Sequence, residues 1–566
     1  MILNRTHVRG LSTLLALGLF SGSIFAADPA IQNDEVAQLR AALAAQQKQL
    51  ETLQHVLEQQ QQLLDKALNG QQPQRNTLGT VASLAPVIPV APVAAVAIPP
   101  AQTPSKAAAP VSKNPCEAPP DANQVPPYLR IGSTCVMPVG FMDFTSVWRD
   151  KNAGSSLGSN FGSVPFANAV AGNLSEFRFT PQNSRLGFRA DGDWKGAHFM
   201  GYNEFDFLGT SASNGIGVTN GAFVPRLRLF WIDVRKGDWE VLAGQSWSML
   251  TPNRKGISAL PGDLFYSQVI DVNYMAGLTW TRQPGIRVLF HPNKTVTAGV
   301  SLENPNQYAG GQAGGPKIAV PTGTGACNTP TGAASCAAFL GGQLDDTSSS
   351  YLSTPNVMPD VIVKVAFDPS SRFHADVAGI ARTFKSYNLG TNQHFTKTGG
   401  GVQFGFNAEI VKNFRFVTTN YWSDGGGRYL FGQAPDVVVR TDGSLSPIHA
   451  GGTVDGFEAT VKNTLLYAYY GAIYVGRNVV LDTNGKTPVG YGYTGSSQNR
   501  AINEFTLGVN QTLWKNARYG ALNLMGQYEY LQRNPWSVAP GGLSNAHDNT
   551  IYMNLRYTLP GSMPNF

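Results

Sequence analysis

Charge is scarce in this chain. Asp, Glu, Lys and Arg together make up 14% of its 566 residues, against roughly 25% in soluble proteins. A deficit of that size excludes the ordinary surface of a water-soluble globule. Long apolar helices are missing as well, because mean hydropathy is only −0.14, which excludes a helical membrane bundle. Cysteine is reduced to four residues. No CxxC occurs and no His lies near Cys116, Cys135, Cys327 or Cys336, so a metal site is not expected. A dense basic run is absent too. The formal charge of +6 falls to about +4 once the two arginines of the N-terminal signal are subtracted, and nucleic acid is not expected as a partner. No GxSxG, HExxH or paired-carboxylate site stands out as a catalytic constellation. His449 and His547 fall in predicted loops without partners at useful spacing, so neither an enzyme nor a cofactor is expected. No repeat of fixed period supports a propeller or β-helix.

What remains falls into distinct zones. Residues 1–26 read as a secretory signal: Arg5 and Arg9 form the basic region, Leu11–Phe20 the short apolar stretch, and Ala26 the last residue removed. Residues 31–68 carry a heptad pattern. Val36, Leu43, Leu50, Leu57 and Leu64 occupy a, while Leu39, Gln46, Leu53, Gln60 and Ala67 occupy d. Such a register predicts a coiled coil. It would extend roughly 55 Å at the helical rise per residue. Residues 69–127 form a Pro/Ala-rich linker. Its apolar part, Val81–Pro100, is interrupted by Pro86, Pro89, Pro92, Pro99 and Pro100, which rules out a spanning helix and predicts an extended spacer.

Residues 128–566 change to a period of two. Ile551, Met553, Leu555 and Tyr557 share one face; Tyr552, Asn554, Arg556 and Thr558 share the other. Val361, Val363, Val365 and Phe367 oppose Lys364. Phe505, Leu507 and Val509 oppose Glu504 and Thr506. Strands with one apolar face and one polar face match a wall between lipid and water. Tight turns recur at Asp191-Gly192-Asp193, Lys236-Gly237-Asp238, Pro292-Asn293-Lys294, Asp368-Pro369-Ser370, Lys412-Asn413, Lys462-Asn463 and Lys515-Asn516. Longer Gly/Ser/Asn-rich loops separate them. Short turns on one rim and long loops on the other predict an all-β transmembrane barrel of about sixteen antiparallel strands in a Gram-negative outer membrane. The coiled coil would lie in the periplasm.

A barrel of that width holds an aqueous channel unless something plugs it. The elongated N-terminal zones make a poor plug, so an infolded loop is expected. The candidate is Ser248–Arg282, long and rich in polar and aromatic residues, carrying Arg254 and Lys255. Water-facing positions of the first half are basic. Arg185 and Arg189 alternate with Leu186 and Phe188, Arg226 and Arg228 with Leu227 and Leu229, and Arg287 with Ile286 and Val288. His374 also reads as lumen lining. Rows of guanidinium groups would raise the local concentration of anions and bind carboxylate or phosphate oxygens. The alternative is that these arginines form ion pairs within the wall, with Glu204, Asp206 or Asp233. The four cysteines allow three pairings, of which the local ones, Cys116–Cys135 and Cys327–Cys336, are expected as loop staples in an oxidising compartment.

Five segments then carry a resemblance: Ser184-Arg185-Leu186-Gly187-Phe188, Arg226-Leu227-Arg228-Leu229-Phe230, Leu242-Ala243-Gly244-Gln245-Ser246-Trp247-Ser248, Arg282-Gln283-Pro284-Gly285-Ile286-Arg287 and Leu302-Glu303-Asn304-Pro305. In this order the chain resembles the DcaP-like trimeric outer-membrane porins, with the motifs concentrated in Leu174–Pro305. The resemblance implies a sixteen-stranded barrel, a homotrimer, a periplasmic coiled coil and passive uptake of small anionic solutes such as dicarboxylates. It implies Arg185, Arg226, Arg228, Arg282 and Arg287 as lumen arginines. The long linker and the Cys-bearing loop depart from the pattern. Phosphate-selective porins are neighbours, but their lysine-rich lumen is not seen here. Outer-membrane lipid or lipopolysaccharide is an expected partner. A second reading makes the chain an envelope tether, with the coiled coil and linker bracing the barrel against peptidoglycan.

Overall fold

The computed structural model describes residues 128–209, 223–266, 268–311, 314–322, 357–388 and 391–562. The predicted signal, coiled coil and linker lie outside the described residues, as do Cys116, Cys327 and Cys336. Among the described residues no helix is long and apolar enough to cross a membrane. The described strands instead form one large antiparallel sheet that closes on itself, with two separate two-stranded hairpins in its loops.

Sixteen staves make the wall: β1 (Thr134–Arg149), β2 (Glu176–Thr180 continued by Arg185–Trp194), β3 (Ala197–Gly209), β4 (Val224–Lys236), β5 (Trp239–Trp247), β6 (Arg282–Phe290), β7 (Val296–Glu303), β8 (Asp360–Ser370), β9 (Phe373–Asn388), β10 (Gln393–Val411), β11 (Phe414–Asp424), β12 (His449–Val461), β13 (Thr464–Val475), β14 (Asn499–Asn516), β15 (Gly520–Pro535) and β16 (Ala546–Thr558). Each pairs with the next, and β16 returns to β1 in the register Phe141↔Thr558 to Arg149↔Thr550. Closure removes the unpaired edges that a lipid environment cannot satisfy. The short segment Leu129–Ile131 adds a tag on β1. His449 and His547 belong to strands, not to the loops predicted for them. His449 has Asp424 as a partner, at 3.4 Å.

β2 is broken where Pro181 removes a ladder donor. Both halves still pair with β1, through Thr145↔Thr180 and Phe141↔Arg185. The gap is used: Asn183 donates from Nδ2 to the Ile270 carbonyl, 3.3 Å away in the loop between β5 and β6.

The predicted alternation sorts the two faces. On β1, Met142 and Phe144 are more than half exposed, whereas Asp143 and Thr145 are buried. On β8, Val363 points out and Lys364 is fully buried. Outward apolar residues recur around the whole wall, giving the exterior that a membrane-spanning barrel presents to lipid. The rims differ as expected, although residues 191–193 and 368–370 belong to strands and the turns follow them at 195–196 and 371–372. Turns such as 237–238, 412–413 and 462–463 are tight, while 150–175, 248–281, 425–448 and 476–498 are long.

Candidate pore site

The connection 248–281 turns into the barrel. Ser248 N–H donates to the Thr281 carbonyl (2.9 Å) and pinches the base of the loop. From there it is tied to the wall on several sides. Met249 N–H reaches Glu303 on β7 at 2.8 Å. Lys364 on β8 donates to the Thr251 carbonyl at 2.9 Å. Arg254 holds Glu458 on β12 through two bonds of 2.8 and 2.6 Å. Ile270 N–H donates to Gln527 on β15 (2.9 Å) and Ala276 N–H to Glu504 on β14 (2.8 Å). Tyr274 accepts from Arg228 on β4 at 2.8 Å. Gly277, with φ +92°, lies so near the wall that a Cβ there would stand 2.3 Å from the Thr453 carbonyl oxygen. The loop therefore crosses the lumen, as its composition predicts.

A second loop, 425–448, also turns inward, although its Gly-rich start predicts a surface loop. Its Tyr429 carbonyl accepts from Trp280 N–H at 2.9 Å, and its Tyr429 hydroxyl donates to Asp360 at 2.9 Å. Asp436 pairs with Arg382 of β9 at 2.8 Å. Val437, Val438 and Val439 are fully buried. That run of valines inside a Gly-rich loop was the available signal, because an exposed loop has no use for it.

The candidate cations divide sharply. Arg226 binds Asp206 in bidentate fashion (3.0 and 2.7 Å). Arg228, 1% exposed in its side chain, donates to Glu204 and Asp206, each at 2.7 Å. Arg189 closes on Asp191 (2.7 and 2.8 Å). Arg185 stands 3.9 Å from Glu204 and over the Phe141 ring. Arg254 is the loop anchor on Glu458. These five are wall or loop ion pairs, the alternative left open by the sequence. Lys255 is exposed and lines a cavity of about 280 Å³ together with Asp233, Glu240, Arg235 and His291.

Arg282 and Arg287 are different. Among the described residues neither has a carboxylate within ion-pairing distance. Arg282 Nη1 and Arg287 Nε are buried without a hydrogen-bond acceptor. The Arg282 guanidinium is held between aromatic faces, 5.2 Å from the Trp247 centroid and 5.4 Å from that of Trp280. Trp247 also packs on Tyr266 and Tyr274, and Trp280 stacks on Phe431 from the second loop at 4.8 Å. Cation–π contact holds a guanidinium without neutralising it.

The opposite part of the wall is acidic. Glu504 and Glu529 are buried on β14 and β15 and have no cation within 4 Å among the described residues. Ala276 N–H and Thr506 serve Glu504; Ser159 and Gln527 serve Glu529. Arginines on one side and carboxylates on the other flank the infolded loop. His374 faces inward, between Asp368 (2.9 Å) and Asp376 (3.3 Å). Among the described residues no group of His, Cys, Asp and Glu is arranged to hold a metal ion.

Fold and site define a class: a sixteen-stranded membrane-spanning barrel with loops folded into its lumen. Among solved structures, the chain is similar to the outer-membrane channel DcaP of Acinetobacter baumannii, with 16% identity and a TM-score of 0.55 over 77% of this chain and all of that one. It is also similar to OmpF of Salmonella typhi (9%, TM-score 0.42, 76% of this chain and all of that one). OmpT, an outer membrane protein of Vibrio cholerae, matches at 10% identity and a TM-score of 0.38, covering 76% of this chain and 99% of that one. The first of these shows the shared fold. No protein-family model and no curated protein sequence matches the chain.

Proposed function

We propose that this protein is an outer-membrane porin that lets small hydrophilic solutes diffuse passively, with a preference for anions of the dicarboxylate type. One observation carries the preference. Beside the infolded loop, Arg282 and Arg287 have buried N–H donors with no protein acceptor. Neither guanidinium has a carboxylate within 4 Å among the described residues, so its charge stays uncompensated, and an uncompensated positive charge beside a water-filled passage raises the local concentration of anions. The same proposal includes export through residues 1–26, assembly as a homotrimer, a periplasmic coiled coil over 31–68, a linker over 69–127, and disulfides Cys116–Cys135 and Cys327–Cys336.

Planar-bilayer recording tests it. A folded barrel should conduct, and its reversal potential in a salt gradient should show anion preference. Arg282→Gln should lower the anion-to-cation permeability ratio about threefold. A silent barrel sinks the porin reading; an unchanged reversal potential in both Arg282→Gln and Arg287→Gln removes these residues from it.

A further inference from the structure

The outer face holds a feature that passage through the lumen does not use. Near the long-loop rim, strands β9 to β14 form an outward groove of about 620 Å³, walled by Val377, Val402, Phe404, Trp422, Ala472 and Ala501. Its depth comes from small residues. Gly451 leaves the floor open, since a Cβ there would meet the Trp422 ring at 2.5 Å. Polar groups at the floor satisfy one another: Thr453 donates to Asn420 (3.1 Å), and Tyr470 donates to Asn503 (2.9 Å). The groove therefore needs no protein partner to complete hydrogen bonds.

Its upper end is charged and aromatic. Tyr474 stacks on Trp422 at 6.1 Å and meets Trp536 edge-on at 6.1 Å. Tyr and Trp of this kind mark the membrane–water boundary. Directly above stand Arg477 and Arg500, both exposed. Arg477 lies three residues past Tyr474, and Arg500 lies beside Ala501, the partner of Tyr474 across β13 and β14. The Arg500 guanidinium sits 6.0 Å from the Trp536 ring. Among the described residues, neither arginine has a carboxylate within 4 Å. Asp424 of the same rim pairs with His449. Long loops face outside the cell, so these cations stand at the headgroup level of the outer leaflet.

We infer that this groove binds one outer-leaflet glycolipid bearing phosphates, of the lipid A type, with an acyl chain in the groove and a phosphate on Arg477 and Arg500. The apolar trough accepts the chain by removing it from the disordered bilayer. The two exposed guanidinium groups at the rim select the anionic headgroup. The inference rests on the membrane-spanning barrel and not on anion passage.

The test uses the full chain, its folding checked by heat-modifiable migration on gels. Bisphosphorylated lipid A and its dephosphorylated form are titrated in detergent, and bound copies are counted by native mass spectrometry. The phosphorylated form should bind about tenfold more tightly. Arg477→Glu with Arg500→Glu should abolish that preference and leave the dephosphorylated form unaffected; the Lys pair should restore it. Ala472→Trp, which fills the groove, should weaken both forms alike. Single-channel conductance should not change in any of these variants, which separates this site from the pore. Equal binding of the two lipids by the wild type overturns the proposal, as does undiminished binding by Ala472→Trp. Disulfide cross-linking of Ala472→Cys between protomers in intact membranes also overturns it, because a second copy would then occupy the groove.

Discussion

Arg228 and Arg282 sit in one cluster and do opposite things. Arg228 neutralises Glu204 and Asp206 while almost fully buried. Removing it leaves buried Glu204 with only Arg185 at 3.9 Å, while Asp206 keeps Arg226; breaking a buried pair of this kind costs about 3–5 kcal/mol. Arg228→Ala should therefore lower the urea midpoint of unfolding in detergent strongly, and Arg282→Gln, which orphans no carboxylate, should leave it nearly unchanged. Comparable losses in both would show that Arg282 is structural. Alternation puts Arg228 on the inward face, where it lies buried, whereas Arg282 enters through the family resemblance alone. Glu204 and Asp206 could be named as candidate partners, but which carboxylate Arg228 takes was not readable, because it depends on the register of β3 against β4. That register shifts between Glu204 and Phe205, and a bulge leaves no mark in one sequence. A third residue gives a pH prediction. In the loop following β13, Asp482 accepts from both the hydroxyl and the amide of Thr322 (2.7 Å each). The Thr322 hydroxyl, together with backbone amides, holds its carboxyl below the usual value. A depressed folded value means the contact stabilises fully above the ordinary carboxylate range and is lost as pH falls through the lower folded value. Hydrogen exchange at the Thr322 amide should thus stay slow as pH falls through the ordinary carboxylate value of about 4 and quicken only below it; quickening at the ordinary carboxylate value would remove Asp482 as the clasp.

At the scale of elements, the two infolded loops show what a loop must carry to leave the surface. Loop 248–281 announces itself by length and by aromatic and charged residues, which find partners on the wall. Loop 425–448 is short of such signals. Its Gly-rich start reads as surface, and only the Val437–Val439 run and Tyr429-Leu430-Phe431 speak against that. Both meet at Trp280 and Phe431, so displacing one should disturb the other. Gly277→Val tests this. The added side chain meets backbone on β12 and β13, and the loop must lift from the wall. Open-channel conductance should rise, by about half as an order-of-magnitude estimate for a widened constriction, and current noise should grow. Conductance identical to wild type would mean that 248–281 does not limit the passage. The break in β2 was equally hidden: Pro181 interrupts the ladder in sequence, yet the reason the gap persists is Asn183 bonding a loop residue some ninety positions on.

For the whole molecule, closure of the barrel was readable because lipid outside and water inside impose the same period of two on every stave. Oligomer number was not, since it depends on what covers the exterior. The outer face of β1 and β2 is densely aromatic. Phe144 stacks on Phe179 at 5.2 Å, and Phe177 meets Phe179 edge-on at 4.8 Å, all more than half exposed. Rigid aromatic surface of this kind suits a protein–protein contact within the membrane as well as lipid. If the proposed trimer is held by this wall, the segment 31–68 assists assembly without being needed to keep it. Deleting residues 31–68 should then leave single-channel conductance and closure in three equal voltage-driven steps intact, while lowering the yield of assembled trimer. Single-step closure after the deletion would place the trimer contact in that segment and leave the aromatic wall facing lipid. Phe144→Ala with Phe179→Ala supplies the converse arm: steps should become independent and trimers should fall apart on gels, with the coiled coil still present.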